Sequence, residues 1–527
     1  MVSLPLLKNV LKDIDTNDVN ELSNDRLTAG ESDNSSSKQV VANRGSEAVG
    51  PLRLDSRKIE PGDTFVAVLG FQMDGRSFIP MALEQGAILI FAEENQSEKF
   101  KEMYAEITTN KIVWIKNLAD KLSRIAANYF GHPGDELRNI AVTGTNGKTS
   151  CSYLIAKTLQ KLNFECYLLG TLGVGCCGQL QQSDNTTADA ITLQSILKSA
   201  LDSGAQFSSM ELSSHGIHQN RAAAIQFNTA VFTNLTRDHL DYHGSMENYG
   251  AAKRKIFISK GLKNAVINMD DRFGRKLAKD EQIVAKKWLV STTFPTSGSD
   301  LSHWIWAEDV VLSLKGIHAK VFTPWGSGKL DSTLIGHFNL SNLLLVVATL
   351  GAILKDIQPV LEELKKVSAA DGRMLTLGNP NTPIAVVDYA HTPDALEKAL
   401  EAIREHSTGL IWCVFGCGGD RDAGKRPLMG RIAEKLANRV IITQDNPRFE
   451  SEQVIKEDIF AGLKNPEKAI YISDREQAIR QAIAKAQPGD SVLIAGKGHE
   501  DYQVIGDVKH HLDDKEICTN ALENYQS

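Results

Sequence analysis

At 527 residues the chain is too long for one ordinary core, and a prior of about 150 residues per domain predicts three or four units. An apolar content of 42%, a charged content of 23% and a net charge of -7 without a basic arm describe a globular chain and argue against nucleic acid as its main partner. Seven scattered cysteines without paired zinc spacing read as reduced thiols, with Cys413 and Cys417 serving strand and loop packing.

Residues 1–14 hold no apolar stretch long enough for a signal peptide, which predicts a cytoplasmic chain. A short first helix is followed at residues 20–50 by a polar stretch centred on Asn34-Ser35-Ser36-Ser37, read as a flexible insert. From Leu52 the pattern becomes a small α/β domain, with strands over 64–68 and 87–91 and a helix over 79–85, ending near Gly131-His132-Pro133-Gly134.

A second domain opens with an apolar strand over 139–142. It runs into Gly144-Thr145-Asn146-Gly147-Lys148-Thr149 and a helix-compatible stretch over 150–161. Strand, glycine-bearing loop, Lys-Thr and helix turn backbone N–H groups and a helix N-terminus toward phosphate, with Lys148 as a point charge and Thr149 as a Mg2+ ligand. The common phosphate loop carries a glycine five residues before Gly147, where this chain has Val142. The bland alternative is a strand-turn-helix with a surface lysine.

Strands over 207–212, 229–234 and 265–267 alternate with helical segments, which predicts a mostly parallel sheet covered on both faces. Glu211 ends the run Phe207 to Met210 and precedes Leu212-Ser213-Ser214-His215-Gly216, a polar turn where an exposed carboxylate would face the loop and hold a metal. Its alternative is a solvated strand-end glutamate. Residues 233–244 pack His239, His243, an arginine and several acids or amides into one strand exit, suited to a second metal or to phosphate. Residues 288–334 read as an antiparallel extension. A helix over 339–354 follows, whose apolar run at 343–354 is too short to span a bilayer.

A third unit begins near Met374. Its five apolar strands, over 384–388, 410–415, 440–443, 469–472 and 491–495, are separated by helical segments in a doubly wound, Rossmann-like pattern. No GxGxxG opens it, so a second dinucleotide site is not indicated.

These motifs, taken in order, resemble the Mur ligase family, whose enzymes build the peptide stem of bacterial cell wall precursors. The resemblance rests on residues 144–149, on Met210-Glu211-Leu212-Ser213-Ser214-His215-Gly216 and on residues 234–244. It continues through Gly336-His337-Phe338-Asn339-Leu340-Ser341-Asn342, Asp371-Gly372-Arg373-Met374 and Val387-Asp388-Tyr389-Ala390-His391-Thr392-Pro393, and covers nearly the whole chain after Leu54. It implies an α/β chain of three domains. Residues 1–134 would bind a UDP-sugar, 135–372 would form a phosphate-loop ATPase domain, and 373–527 would bind an amino acid on a Rossmann-like sheet.

Three further motifs resemble the branch of that family that adds the third stem residue: Gly416-Cys417-Gly418-Gly419-Asp420-Arg421-Asp422, Asp445-Asn446-Pro447-Arg448 and Gly496-Lys497-Gly498-His499-Glu500-Asp501-Tyr502. The implied acceptor is UDP-N-acetylmuramoyl-L-alanyl-D-glutamate and the implied amine is meso-2,6-diaminopimelate. ATP would activate the D-glutamate side-chain carboxylate as an acyl phosphate with Mg2+ present, in cytoplasmic peptidoglycan precursor synthesis, by a monomer without nucleic acid or membrane partners. Diaminopimelate differs from lysine by a second carboxylate, which a guanidinium reads bidentately. Arg448 supplies that group, and Arg421, Asp445, Asn446, Pro447, Gly496 and Glu500 complete the pocket.

By the same resemblance, Lys148, Glu211, His239, Lys253 and Arg373 are catalytic. Thr149, Glu211, His239 and Lys253, the last as a carbamate, hold metal. Thr143, Gly144, Thr145, Asn146, Gly147, Lys148, Thr149, Asn339, Asn342, Arg373 and Asp388 bind ATP, Arg373 toward the phosphates and Asp388 toward the ribose. The sugar nucleotide would meet Leu54, Ser56, Asn185, Thr186, Thr187, Ser213, Gln219 and Arg221. It would also meet Phe71, Gln72 and Met73, where relatives often carry His-Gln-Ala. Competing readings are a lysine-adding sibling, opposed by Arg448; a folylpolyglutamate synthetase, opposed by Asp445 to Arg448; a small-molecule kinase, which leaves the third domain unexplained; and a silent ATP-binding scaffold, opposed by the intact catalytic set.

Overall fold

A computed structural model describes residues 4–15, 18–20, 44–70, 73–104, 111–183, 185–295, 300–313, 316–370, 372–379, 381–405, 407 and 409–525. The polar insert read at 20–50 lies outside the described residues apart from 20 and 44–50, as do Phe71, Gln72 and Asp371. The chain divides into two compact units. One gathers residues up to 139 with 184–208 and 213–227, and the other takes 140–183, 209–212 and 228 onward.

The first unit carries a five-stranded sheet in the order Val19–Asn20, Ile112–Ile115, Leu89–Glu93, Thr64–Ala67, Leu52–Arg53. All neighbours are parallel except Val19–Asn20, which runs against Ile112–Ile115. Every residue of Leu89–Glu93 and Thr64–Ala67 is buried, the continuous burial of a parallel sheet covered on both faces. The strand expected at 87–91 starts two residues late for a local reason. The Ala87 N–H closes the end of helix Ile79–Glu84 on the Ala82 carbonyl, and the Ile88 N–H bonds Asp63. Helix Leu118–Phe130 packs Leu118, Leu122, Ile125 and Ala126 into one core with Val66, Phe91, Val113 and Ile115. Glu93 caps its start, accepting from the Asn117 and Leu118 N–H groups at 2.9 and 2.8 Å.

The second unit holds a ten-stranded sheet. Its order is Gly326–Ser332, Gly316–Thr323, Trp304–Ser313, Lys286–Ser291, Asn264–Asn268, Phe227–Phe232, Arg138–Thr143, Phe207–Glu211, Cys166–Gly170, Gly173–Cys176. The expected antiparallel extension is the meander of the first three strands in that order. Helix His337–Leu354 packs against Asn264–Asn268, Lys286–Ser291 and the phosphate-loop helix Lys148–Lys161. Its 18 residues are long and apolar enough to cross a membrane, but 72% of them are buried inside the fold, as in a core helix.

The same unit carries a six-stranded sheet in the order Leu375–Leu377, Ile384–Asp388, Ser491–Ala495, Ile411–Phe415, Arg439–Ile442, Ile470–Tyr471. Only its first strand is antiparallel. Helices Pro393–Arg404, Arg426–Leu436 and Glu452–Phe460 cover one face, and Arg475–Lys485 and Asp514–Glu523 the other. Tyr389, Gly416, Thr443 and Gly496 therefore all lie just past the carboxyl ends of parallel strands, where open α/β sheets gather ligands.

Candidate functional site

Strand Arg138–Thr143 is buried from Asn139 onward, so Val142 belongs to the sheet and the loop begins at Gly144. This accounts for the missing glycine. A Cβ on Gly144 would stand 1.8 Å from Thr233 Oγ1, and one on Gly147, at φ +84°, would stand 2.6 Å from Asn342 Oδ1. The loop is thus held between two polar side chains that leave no room for a methyl group. Asn234 fixes its path, accepting from the Thr145 N–H through its carbonyl at 2.8 Å and from the Asn146 N–H through Oδ1 at 3.0 Å. Asn339 and Asn342 are buried beneath it, joined at 3.1 Å, with Asn339 donating to the Ile335 carbonyl at 2.8 Å.

Around this loop buried ions converge. Lys148 Nζ folds back onto the Gly144 and Thr145 carbonyls at 3.0 and 2.8 Å, and burial lowers its pKa although Glu211 and Asp238 oppose the shift. Glu211 corrects one expectation: its carboxylate is 1% exposed, not solvent-facing. It is drawn inward by the Thr149 hydroxyl at 2.9 Å and by Thr171, through N–H at 2.9 Å and hydroxyl at 3.3 Å. Arg373 Nη2 donates to Thr149 Oγ1 at 2.9 Å, while its buried Nε has no hydrogen-bond partner among the described residues.

Lys253 is 1% exposed and donates to the Gly144 carbonyl at 2.7 Å, with its ammonium 4.5 Å from the Tyr249 ring centre. Burial, reinforced by Lys148, pushes its pKa well below the ordinary lysine value. His239 caps the short helix Leu240–His243 at φ +53°, 3.4 Å from Asp238, and burial lowers its pKa as well. Asp388 accepts from the Met374 N–H at 2.7 Å, and burial raises it to about 6 against the pull of Arg373.

The structure brings the predicted metal ligands to the loop in two sets. Thr149 and Glu211 place two hard oxygens side by side, a donor set that suits a hard cation. Burial lowers the pKa of both Lys253 and His239, which favours the neutral amine that adds CO2 and the neutral imidazole that offers a lone pair, so this pair also fits a metal. Among the described residues no three His, Cys, Asp or Glu side chains form a metal-ready group. An ion at either place would complete its shell from phosphate and water.

At the carboxyl ends of the six-stranded sheet, Asn446 organises a second constellation. Its Nδ2 donates to Glu500 Oε2 at 3.0 Å, and its Oδ1 accepts from buried Lys497 Nζ at 3.0 Å and the Val504 N–H at 2.9 Å. Arg448, at φ +53°, donates through Nη1 to the Gly419 carbonyl at 2.8 Å. A Cβ on Gly418 would lie 3.0 Å from Arg448 Nη1 and 3.8 Å from Arg421 Cγ, so both arginines flank one glycine. Gly496, at φ +122°, leaves room for Asp445 Oδ2, which a Cβ would meet at 2.5 Å.

In the first unit, Thr187, Ser213, Gln219 and Arg221 form one network. Arg221 donates to Gln219 Oε1 at 2.9 and 2.6 Å and to the Thr187 carbonyl at 2.7 Å, and the Ser213 N–H donates to Thr187 Oγ1 at 2.9 Å. Asn185 and Thr186 lie on the turn leading into Thr187. Leu54 and Ser56 sit beside the five-stranded sheet, with Ser56 Oγ 3.6 Å from Met81 Sδ, and Met73 is 68% exposed.

Residue-type reasoning passed over several side chains that the fold brings in. Asp238 faces Lys148, His239 and His391. Asp394 accepts from Asn146 Nδ2 at 2.5 Å and Lys398 at 3.0 Å. Tyr249, Tyr389 and Lys497 complete the set. The signal for Asp238, Tyr389 and Lys497 was their place inside motifs already singled out, and that for Tyr249 its place four residues before Lys253.

Family models match three segments: Mur ligase family, catalytic domain, at residues 50–130; Mur ligase middle domain, at 142–350; and Mur ligase, glutamate ligase domain, at 372–498. The UDP-N-acetylmuramoyl-L-alanyl-D-glutamate--2,6-diaminopimelate ligase of Ectopseudomonas mendocina (strain ymp) is 47% identical over 476 residues, covering 90% of this chain and 95% of that protein. The protein of the same name from Pseudomonas aeruginosa is 46% identical over 475 residues, again covering 90% and 95%. A solved structure of a UDP-N-acetylmuramoyl-L-alanyl-D-glutamate--2,6-diaminopimelate ligase superposes with a TM-score of 0.64 at 36% identity, covering 91% of this chain and 96% of that one.

Proposed function

This chain belongs to the Mur ligase family, and on that premise we propose that it joins meso-2,6-diaminopimelate to UDP-N-acetylmuramoyl-L-alanyl-D-glutamate at the expense of ATP. One observation carries the choice of amine. Arg448 and Arg421 flank Gly418 and, among the described residues, hydrogen-bond only to backbone carbonyls, while Asn446, whose carbonyl lies 3.5 Å from Arg448 Nη1, donates to the Glu500 carboxylate. A cationic end beside an acidic end suits a carboxylate and an ammonium on one carbon, which diaminopimelate has at its far centre and lysine lacks.

The chemistry follows from charge. The D-glutamate side-chain carboxylate takes the γ-phosphoryl group of ATP, which turns its oxygen into a leaving group. The amine then attacks the acyl phosphate, and phosphate departs through a tetrahedral intermediate. The loop N–H groups and Lys148 bind the phosphates, Arg373 offers its guanidinium with the unpartnered Nε, and Asn339 and Asn342 keep the loop in shape. Asp388, the last residue of strand Ile384–Asp388, would receive the ribose. Mg2+ held by Thr149 and Glu211, with a second ion at His239 and a carbamate on Lys253, would neutralise charge on the transferred group.

The division of labour in this reading gives residues 1–134 to the sugar nucleotide, met there by Leu54, Ser56 and Met73 and, from residues 135–372, by Asn185, Thr186, Thr187, Ser213, Gln219 and Arg221. Residues 135–372 hold ATP, and 373–527 hold the amino acid. Action by a monomer in the cytoplasm, where ATP is available, completes the proposal.

The test is phosphate release with the UDP-muramoyl dipeptide and each of diaminopimelate, lysine and ornithine. Turnover confined to diaminopimelate is expected, and comparable turnover with lysine would overturn the assignment of the amine.

A further inference from the structure

The turn that carries Arg373 and the loop that carries Glu500 meet through bare backbone. Gly372 and Gly498 have φ of +65° and +58°. A Cβ on Gly372 would stand 2.1 Å from both the Gly498 carbonyl carbon and His499 N, and one on Gly498 would stand 2.7 Å from the Gly372 oxygen and from Tyr389 Cβ. Neither position accepts a side chain, so the two loops and Tyr389 form one close-packed block.

Tyr389 touches both functional ends of this block. Its ring carries the Arg373 guanidinium 4.5 Å from its centre, and that guanidinium donates to Thr149 in the first turn of the phosphate-loop helix. Its hydroxyl donates to Glu500 Oε1 at 3.3 Å, while the other Glu500 oxygen is held by Asn446. The ring is braced by His391 at 4.7 Å and His499 at 5.3 Å between centres. Burial raises the phenol's pKa, which keeps it a donor across the working range.

Resting on the reading of Glu500 as part of the amino-acid pocket, we propose that Tyr389 is a positioning residue that couples the nucleotide site to the amino-acid site. The ring face registers where Arg373 sits, and the hydroxyl transmits that position to the Glu500 carboxylate. A nucleotide that fixes Arg373 therefore prepares Glu500, and by linkage the amino acid strengthens nucleotide binding by the same factor.

The experiment measures amino-acid binding calorimetrically on the full chain saturated with the UDP-muramoyl dipeptide, with and without a non-hydrolysable ATP analogue and Mg2+. In the unaltered protein, nucleotide should raise amino-acid affinity at least about five-fold, the lower end of ordinary coupling. Tyr389→Phe keeps the ring and loses the hydroxyl, so the enhancement should fall below about two-fold. By the same linkage its nucleotide affinity in the presence of amino acid should fall by the factor that the enhancement loses, while its nucleotide affinity without amino acid stays near the original. Tyr389→Leu, which loses both contacts, should weaken nucleotide binding even without amino acid. In a Glu500→Ala background, Tyr389→Phe should add little, because its partner is gone.

Retention of the full enhancement in Tyr389→Phe, or a loss of nucleotide affinity in that variant measured without amino acid, would overturn the proposal. The amino acid used is whichever the unaltered enzyme turns over. A failure of diaminopimelate as substrate thus shows in the turnover panel and leaves the Tyr389 comparison intact.

Discussion

The second unit uses arginine in two opposite ways. Behind the strand ends, Arg475 is fully buried against Asp514, with bonds of 2.8 and 2.7 Å, and Arg426 is fully buried against Glu450 at 2.6 Å twice and Asp458 at 2.8 Å. At the strand ends, Arg373, Arg421 and Arg448 have no carboxylate within salt-bridge distance among the described residues, and meet a hydroxyl, an aromatic ring or carbonyls. Closed pairs fix the position of loops, and open guanidiniums leave their charge available to an anion. The two groups therefore respond differently to substitution, one in stability and the other in ligand affinity.

The largest expected effect is on a closed pair. Arg475→Leu leaves Asp514 buried without a partner and should cost roughly 3–5 kcal/mol in chemical denaturation. Replacing both residues by apolar ones of similar volume should recover much of the loss. A single variant as stable as the original would break the distinction.

Lys253 extends the contrast to lysine, whose ammonium can give up its proton where a guanidinium cannot. Lys253→Ala should lower kcat about 10²- to 10³-fold, as removal of one preorganised charge does. Short carboxylic acids should restore part of the rate. Full activity in the variant would remove Lys253 from the metal site.

Arg448→Ala sharpens the comparison from the open side. It should raise the KM for diaminopimelate by the equivalent of about 2 kcal/mol or more. Its denaturation midpoint should stay within about 0.5 kcal/mol of the original, since no buried acid is stranded. A stability loss like that of Arg475→Leu would place Arg448 with the closed pairs.

This division also marks what was legible in the sequence. Strand ends, glycine loops and the five parallel strands of the last sheet follow from local apolar runs, and the observed strands Ile384–Asp388 and Ser491–Ala495 have the expected bounds. The phosphate loop and Glu211 were legible because strand, loop and ligand are close in sequence or sit at a strand end. The burial of Glu211 was not, since Thr149 is 62 residues away and Thr171 is 40. Arg373 and Thr149 are separated by 224 residues, and Asn146 and Asp394 by 248. Which arginines are neutralised depends on such distant partners, so residue type alone could not separate Arg448 from Arg475.

The smallest expected effect concerns acid. Glu450 is held at about 2, first by its hydrogen bonds to Arg426, whereas its ordinary value is 4.5. Between those values the unfolded chain binds more protons than the folded one, so the pair's stabilisation is complete above about pH 4.5 and is lost as pH falls toward about 2. Asp388 acts in the opposite sense, because a folded value of about 6 makes the folded chain bind the extra proton between its ordinary value of 3.8 and 6. The difference between the unaltered protein and Glu450→Gln cancels that contribution. Denaturation series from pH 5 down to 3.5 should show a shallower loss in Glu450→Gln, by at most about 1 kcal/mol per pH unit once solvent screening is counted. Parallel slopes would mean that the Arg426 pair draws its stability from packing and not from charge.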